Sequence, residues 1–331
     1  MIENPIFITD NAVLNIYIIG YKTMGESILF EISDSKIEKS LYGIIDCYKE
    51  NGLNYTFDFL KTQEVKELYF LLWSHPDRDH SLGLNDIITY FGDKIKLLGI
   101  SDGISFEEIN SSNKKQKYND VEKVYIEINN ISQKLGQRFI HINHATKEFK
   151  IPFIKENGEK IYFTIKPFAP LCNIVRNERV KLFRDMHKNT KCLKNRISTG
   201  FLITLGDYDL CFAGDITNEG LVGDDYKKFL TTLFKNIDFV KIPHHGSKNS
   251  ETFLQLLPKN FSFAGLTKFN STTPNPEIVS KYKNRTNVLA TFPMEKQIKE
   301  YEHSYGVVKL TIPFNHINYI EYSFEGNACK L

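Results

Sequence analysis

The stretch His75-Pro76-Asp77-Arg78-Asp79-His80 places two histidines and two aspartates within six residues. It comes one residue after the apolar run Glu67-Leu-Tyr-Phe-Leu-Leu-Trp73, which predicts a strand covered on both faces. Imidazoles and like-charged carboxylates crowded at a strand end are costly unless a cation neutralises them. The stretch therefore predicts a metal site. The alternative is a polar turn in which His75 and His80 are incidental surface residues.

Two later strand ends carry residues of the same kind. Cys211-Phe-Ala-Gly-Asp215 ends a predicted strand in a carboxylate beside a glycine, which permits close approach of the backbone. Val240-Lys-Ile-Pro-His-His-Gly-Ser247 ends the next predicted strand in paired histidines, His244 and His245. A Gly-Asp turn and a hydrogen-bonded histidine pair are the structural alternatives. Together with the first stretch, they predict that distant parts of the chain share a divalent cation.

Strand and helix patterns surround these stretches. Residues 149–153 and 160–168 predict a hairpin, because Asn157-Gly158 lies between them. The other predicted strands are 13–19, 27–32, 42–46, 200–205, 208–213, 238–242, 261–266, 305–312 and 317–324, and the predicted helices are 57–66, 120–135, 220–235, 250–257 and 276–283. Antiparallel runs followed by strand-helix alternation favour an α/β protein with a sheet-on-sheet core and helices outside.

Composition limits the classes of protein that fit. The 331 residues are 41% hydrophobic and 25% charged, which is typical of a globular chain with a large core. The net charge of +2 gives no overall field for nucleic acid or membrane, so any such partner needs a local patch. We expect a cytoplasmic protein, because no run approaches the roughly 18 apolar residues of a membrane span, no export signal precedes the apolar run 16–19, and the five cysteines lack a CxxC pair.

A basic segment offers such a patch. Residues 176–196 hold eight basic side chains and two acidic ones, several of them at helical spacing. Arg184 and Lys188 lie in this segment and are candidates for binding a phosphate-containing substrate. A merely solvated helix is the alternative reading. Only Phe183 interrupts the segment with an aromatic ring, so base stacking is not indicated.

The His75–His80, Gly-Asp and His-His-Gly-Ser elements resemble the metallo-β-lactamase fold superfamily, whose first metal motif is HxHxDH. Asp77 stands here where that motif has its second histidine. The chain is most similar to the hydrolase domain of ComEC-type DNA-uptake proteins and its free-standing relatives, which share HxDxDH, Gly-Asp and HHGS. The resemblance also takes in residues 25–29 and 44–46, and it spans roughly residues 10 to 295.

The resemblance implies a four-layer αββα sandwich with a dinuclear site along one edge. We expect one domain, 1–331, with helical or loop insertions at 101–135 and 173–196. By position, the superfamily's first ion would be bound by His75 and Asp77, the second by Asp79 and His80, both by Asp215, and the second also by either His244 or His245. The third motif of the superfamily supplies a further histidine. Asn195 lies in that region, and His141, His144 and His187 are less well placed.

The implied chemistry is hydrolysis. Two divalent ions about 3.5 to 4 Å apart would supply a hydroxide and polarise the oxygen under attack. Asp79, Asp215 and His245 are then the catalytic candidates, and Arg78, Asn195, Ser247 and Lys248 are candidates for binding substrate. We expect zinc, one or two ions per chain, with manganese as the alternative because Asp77 makes the first site harder.

These features predict a metal-dependent hydrolase of a phosphodiester, either nucleic acid or a nucleotide. The second enzyme hypothesis is hydrolysis of a lactone, thioester or amide. A non-catalytic subunit that metal stabilises is the hypothesis from another class. A protein partner from a bacterial operon or defence system would fit such a chain, and the sequence leaves both this partner and the oligomeric state open.

Overall fold

The chain folds into two mixed sheets whose parallel strands end at one shared edge. The computed structural model describes residues 4–104, 119–184, 194–269, 273–294, 301–315 and 319–331, without the side chains of 119 and 182–184. In chain order, the described strands are β1 (Ile6–Phe7), β2 (Ala12–Tyr21), β3 (Glu26–Asp34), β4 (Lys39–Ile45), β5 (Phe70–Trp73), β6 (Leu98–Ser101), β7 (Phe139–Ile142), β8 (Phe149–Ile154), β9 (Lys160–Ala169), β10 (Gly200–Leu205), β11 (Tyr208–Phe212), β12 (Phe239–Lys241), β13 (Phe263–Leu266), β14 (Asn287–Ala290), β15 (Tyr305–Pro313), β16 (Glu321–Gly326) and β17 (Cys329–Lys330).

Helices connect the parallel strands. Within the described ranges they are α1 (Tyr55–Thr62), α2 (Arg78–Ser81), α3 (Leu84–Phe91), α4 (Asn119–Leu135), α5 (Cys172–Arg184), α6 (Asp224–Leu233), α7 (Glu251–Leu256) and α8 (Pro276–Lys283). In this part of the chain, none of them combines the length and apolar character that a bilayer crossing requires.

Each sheet combines antiparallel pairs with a run of four parallel strands. One sheet has the order β16-β15-β2-β3-β4-β5-β6-β7, and its strands from β4 to β7 run parallel. The other has the order β1-β8-β9-β10-β11-β12-β13-β14-β17, and its strands from β11 to β14 run parallel. Side chains that follow β4 and β5 in one sheet, and β11, β12 and β13 in the other, therefore meet at the carboxyl edge.

The central strands of each sheet are buried on both faces, which explains the apolar runs in the sequence. Strand β2 turns Ile16 and Ile18 toward the facing sheet, while Ile19 and Tyr21 pack under α1 and α3. The rings of Phe30 and Phe212, one from each sheet, lie 5.2 Å apart in the central layer. A third apolar cluster joins the other sheet to α6, α7 and α8. The predicted α/β class with an αββα layering is therefore confirmed.

The predicted helices and strands agree best with the structure where turn or capping residues mark their ends. Helix α8 spans 276–283 as predicted, and the hairpin of β8 and β9 turns at Asn157-Gly158. The predicted helix over 220–235 is wrong at its start, because Gly223 adopts a φ of 89° and α6 begins after it. The predicted strand over 67–73 begins later, at Phe70. Residues 317 and 318 of the predicted strand over 317–324 lie outside the described residues, and β16 covers Glu321–Gly326.

Five strands were not predicted from the sequence, namely β1, β6, β7, β14 and β17. Each is two to four residues long. So short a run shows no resolvable periodicity of its own, and neighbouring strands decide its conformation. The assignment of the whole chain to one domain with two insertions stays a prediction.

Asp209 and Asp238 lie near the amino-terminal ends of β11 and β12, at the edge opposite the one where the parallel strands end, and they allow a test of stability. The backbone N–H of Asp209 donates to Asp238 Oδ2 at 2.9 Å. Burial and the charge of Asp238 raise the pKa of Asp209 to about 6, from an ordinary 3.8. The folded protein thus holds this proton at pH values where the unfolded chain has released it, and the contribution of Asp209 to stability falls as pH rises from 3.8 to about 6.

We expect Asp209→Asn to raise the free energy of unfolding by about 1 kcal/mol at pH 7.5, after allowance for solvent screening, and to give no gain near pH 3.5. Urea unfolding at the two pH values measures this. Asp207→Asn, at an exposed turn position, is the control and should change stability equally little at both. An equal gain from Asp209→Asn at both pH values would contradict the assignment.

Candidate metal centre

Three loops at the carboxyl edge bring the predicted side chains together. His75 and Asp77 follow β5, and Asp79 and His80 lie on α2 directly afterwards. Asp215 follows β11 through Gly214, whose φ is 51° and where an added Cβ would lie 2.6 Å from Ser198 Oγ. A tight turn after β12 carries the histidine pair.

The backbone at this edge is held in rarely occupied conformations. His244 and His245 both have a φ of 49°, and Asp46, after β4, has a φ of 55°. Such left-handed conformations cost non-glycine residues on the order of 1–3 kcal/mol each and persist only where the surroundings impose them. The fold therefore maintains strain at three residues that all border one site.

Four buried side chains form what we call the inner cluster: Asp79, His80, Asp215 and His245. His80 Nε2 lies 3.5 Å from Asp79 Oδ2 and 3.3 Å from Asp215 Oδ1. His245 Nε2 lies 3.0 Å from Asp79 Oδ2 and 3.7 Å from Asp215 Oδ1. Ligands about 2.1 Å from a tetrahedral zinc are roughly 3.4 Å apart. The four measured separations scatter around that value, so the donor set fits such an ion.

A wider outer cluster lies on the other side of the same carboxylate: His75, Asp77, His244 and Asp215 Oδ2. His75 Nε2 is 3.6 Å from Asp77 Oδ2 and 3.8 Å from Asp215 Oδ2, and His244 Nε2 is 4.0 Å from Asp215 Oδ2. The Lys194 ammonium sits 3.2 Å from Asp77 Oδ1 and leaves Oδ2 facing the histidine. Asp215 thus presents one oxygen to each cluster.

Several of the facing atoms have no hydrogen-bond partner in the described part of the chain. These buried atoms are His75 Nε2, His80 Nε2 and Asp215 Oδ1. Each buried polar atom left alone costs about 1–3 kcal/mol. Because they converge on the same small region, one or two cations there would satisfy all three.

Electrostatics at the site point the same way. Burial alone would raise the pKa of Asp215, but His245, His80 and His75 lower it well below its usual range. Burial alone would lower the pKa of His80, but Asp215 and Asp79 raise it well above 6.5. The clusters therefore favour positive charge among ionised carboxylates, and a metal ion would displace a proton from His80 on binding.

Asp46 orients two of the imidazoles and is not free to bind an ion. Its carboxylate accepts from His80 Nδ1 at 2.7 Å, from Ser74 N at 2.7 Å and from the Ser74 hydroxyl. Since the single Ser74 hydroxyl proton goes to Asp46, Ser74 Oγ accepts from His75 Nδ1 at 3.0 Å. In their neutral forms, both histidines therefore turn Nε2 lone pairs toward the clusters, which is the arrangement that metal-binding histidines require.

The predicted substrate-side residues are spread around this centre. Arg78 is exposed at the start of α2, and Lys248 is exposed 3.7 Å from Glu277. Ser247 accepts from the backbone of Asn249, and Asn195 Nδ2 lies 3.0 Å from His244 Nε2. The Arg184 side chain, Lys188 and His187 lie outside the described residues. His141 is exposed on β7 and His144 contacts Cys172, so neither is among the grouped ligands.

In its described part, the basic segment is largely paired with acids, and the prediction that Arg184 and Lys188 bind phosphate stays a prediction. Arg179 contacts Asp102 at 3.3 Å, and Lys181 and Arg196 contact the buried Glu178 at 2.9 and 2.7 Å. A helical sequence pattern cannot show these partners, because they come from other parts of the chain or lie on the buried side of α5. The described part of this segment therefore gives little support for a phosphate surface.

Three functional neighbours escaped sequence reasoning: Glu26, Lys241 and Thr267. All three are fully buried behind His245. The signal for Lys241 was present, since a lysine inside the buried-type strand Val240-Lys-Ile requires a buried acidic partner. Nothing in the sequence identifies which acid that is.

Comparison with known proteins finds no matching family model and no matching curated protein. Among solved structures, the chain is similar to a new diphosphatase from the PhnP family, with 11% identity, 80% of this chain and 90% of that one covered, and a TM-score of 0.35. A metallo-β-lactamase with a HARLDQ motif from Cronobacter sakazakii has 11% identity, coverage of 68% and 73%, and a TM-score of 0.34. The metallo-β-lactamase MIM-1 from Novosphingobium pentaromativorans has 9% identity, with 80% of this chain and 87% of that one covered and a TM-score of 0.33. Likeness at this level does not extend to ligand or substrate.

The site predicts bound metal that stabilises the fold. We expect protein purified without chelator to retain metal, held more tightly by the inner cluster, and we expect chelation to lower the melting temperature by roughly 5 °C. Asp215→Asn should lose most of the metal, because both clusters use that carboxylate.

Elemental analysis and thermal melting before and after chelation measure these outcomes. His303→Asn, at an exposed histidine outside both clusters, is the control and should keep the parent's metal content. Metal-free parent protein that no divalent ion stabilises would contradict the assignment.

Proposed function

We propose that this protein is a metal-dependent hydrolase of the metallo-β-lactamase fold superfamily. The observation that carries the proposal is the convergence of His80, Asp215 and His245 with unpartnered or lone-pair atoms facing one another at 3.3–3.7 Å. Sequence motifs from three separate strand ends supply these residues, in the order that the superfamily resemblance implies. A merely structural polar cluster would give His80 Nε2 and Asp215 Oδ1 hydrogen-bond partners, which both lack among the described residues.

We assign the ligands by cluster. The inner ion is bound by Asp79, His80, His245 and one oxygen of Asp215. The outer ion is bound by His75, Asp77 and the other oxygen of Asp215, with His244 as the additional imidazole. His244 thereby takes the role for which the sequence offers no third-motif histidine. Asn195 lies against His244 Nε2, and its amide would give up that contact when the ion binds.

Two divalent ions at these positions would make water a nucleophile at neutral pH and polarise the bond under attack. The chain contributes the geometry. Asp215 fixes the spacing of the two clusters, and Asp79 and His245, in contact at 3.0 Å, close the buried side. Each cluster combines two carboxylates with two imidazoles, a donor set that suits zinc, and manganese is the alternative because half of the ligands are hard oxygen donors.

For the substrate we propose a phosphodiester. Arg78 carries an exposed guanidinium between the ligands Asp77 and Asp79 and forms no ion pair with the described residues. A guanidinium fork matches two phosphate oxygens, whereas a neutral lactone or amide offers it no such partner. Ser247 and Lys248 follow the His244-His245-Gly246 turn in the sequence and are further candidates for binding the substrate. The assay below includes the ester and amide alternatives.

The catalytic prediction concerns Asp79 and Asp215. With zinc or manganese we expect hydrolysis of bis(p-nitrophenyl) phosphate, and we expect Asp79→Ala and Asp215→Ala each to lower kcat/KM by more than about 100-fold, because removing a ligand costs more than removing a group that orients one. His303→Asn should retain parent turnover.

Faster turnover of a lactone, thioester or β-lactam would shift the proposal to the alternative substrate class. Turnover that is the same in both aspartate variants as in the parent would contradict a metal-dependent reaction. Stabilisation by metal without turnover of any substrate would favour the non-catalytic subunit.

The substrate prediction concerns Arg78. Arg78→Ala should raise KM for the phosphodiester about 10-fold or more with little change in kcat, since a hydrogen bond to a charged group contributes about 1.5–3 kcal/mol. Arg78→Lys should recover part of the loss. Lys228→Ala removes the same charge from the exposed face of α6 and should leave KM unchanged. Equal effects of the two alanine variants would reduce the role of Arg78 to net charge.

A further inference from the structure

A buried chain of polar groups lies behind His245 and joins the two sheets. Lys241 Nζ contacts Glu26 Oε2 at 2.7 Å, and the Thr267 hydroxyl donates to the same oxygen at 2.6 Å. Thr267 Oγ1 in turn lies 2.9 Å from His245 Nδ1. Glu26 begins β3 in one sheet, whereas Lys241 ends β12 and Thr267 follows β13 in the other. All of these side chains have 1% or less of their surface exposed.

The available protons decide the direction of each hydrogen bond. Glu26 faces the ammonium of Lys241 and, as a carboxylate, can only accept. The Thr267 hydroxyl has one proton, which it donates to Glu26, so its oxygen has only lone pairs left for His245. The contact at 2.9 Å is therefore a hydrogen bond from His245 Nδ1–H to Thr267 Oγ1.

In the neutral ring, this direction leaves the other nitrogen of His245 with a lone pair. Nε2 faces Asp79 Oδ2 at 3.0 Å and Asp215 Oδ1 at 3.7 Å, and both oxygens belong to carboxylates. Stacking on Phe269, with ring centroids 5.3 Å apart, further fixes the ring plane. The His245 ring is thus held with Nε2 toward the inner cluster, where the neutral ring presents its lone pair to an arriving ion.

We propose that Glu26, Lys241 and Thr267 are positioning residues that hold His245 in the Nδ1–H tautomer and so preorganise the inner metal site. This rests on the proposed function for the ligand role of His245, but the tautomer itself does not depend on bound metal. His80 Nδ1 is hydrogen-bonded directly to Asp46, so different carboxylates orient the two histidines of the inner cluster.

The stability of the fold does not explain why Lys241 and Glu26 form a buried ion pair. Two fully buried charges contribute little net stability, because the desolvation of both offsets their attraction. Replacing them by apolar residues would often leave a fold equally stable. A role in fixing the proton on His245 accounts for their presence next to the site.

The direct test is the tautomer of His245. In metal-free protein labelled with ¹⁵N-histidine at pH 8.5, long-range ¹H–¹⁵N spectra distinguish a protonated from an unprotonated ring nitrogen, and His245→Asn identifies the signals. We expect Nδ1–H in the parent and in Thr267→Ser. We expect a shift toward Nε2–H in Thr267→Val, which keeps the volume but removes the acceptor.

The second arm removes the ion pair and keeps the hydroxyl. In the double variant Glu26→Leu/Lys241→Met, Thr267 loses its acceptor and can donate its proton to His245 Nδ1. The same shift toward Nε2–H is therefore expected, although Thr267 is unchanged.

Zinc affinity provides the functional readout. Thr267→Val should weaken the tighter zinc site about 10–100-fold, the usual effect of losing a group that orients a ligand. Thr267→Ser should bind close to parent affinity. Thr291→Val is the matched control, because Thr291 is equally buried and its hydroxyl has no partner among the described residues. It should leave zinc affinity and tautomer unchanged.

Nε2–H in the parent would overturn the inference, as would a Thr267→Val protein with the parent's tautomer and zinc affinity. Parent protein that shows Nδ1–H but binds no divalent ion would support the tautomer assignment and contradict the proposed function. The two failures are therefore distinguishable.

Discussion

One carboxylate shared by two groups of imidazoles and acids is the constraint around which the edge of this fold is arranged. Asp215 is buried, and its two oxygens face different clusters, with His80 and His245 on one side and His75 on the other. So many lone pairs cannot be brought together in a nearly dry environment without positive charge. A cation is the simplest group that neutralises both sides. The pairing of β11 with β12 and of β4 with β5 places the contributing strand ends at one edge.

The same device supports histidines from both sheets. Asp46 acts through the Ser74 hydroxyl on His75, and Glu26 acts through the Thr267 hydroxyl on His245. In each case a buried carboxylate accepts a hydrogen bond from the hydroxyl, so the hydroxyl oxygen can only accept a hydrogen bond from the Nδ1–H of the histidine. The strained backbone at Asp46, His244 and His245 belongs to the same arrangement, since ordinary dihedral angles would aim these side chains elsewhere.

The sequence predicts that the metal-ligating side chains come together, but it does not predict how each of them is oriented. Polar residues at the ends of buried strands must share an edge in a layered sheet, so the grouping of Asp79, His80, Asp215 and the histidine pair followed from pattern alone. Which histidine faces which cluster did not follow, because it depends on the turn at 243–246, where His244 and His245 both adopt a φ of 49°. The charge pattern of the basic segment could not show the acids that pair with its described part, since Asp102 comes from a distant loop and Glu178 is buried within α5 itself. The short strands β6, β7 and β14 depend on their neighbours and have no signal of their own.

The most direct measurement of the central claim is anomalous diffraction from crystals grown with zinc, recorded on both sides of the zinc absorption edge. The account predicts a peak within about 2.0–2.2 Å of Asp215 Oδ1, His80 Nε2 and His245 Nε2, with a second, weaker peak beside Asp215 Oδ2 and His75. Well-ordered crystals that show no zinc at this edge, or zinc bound only at other residues, would contradict it.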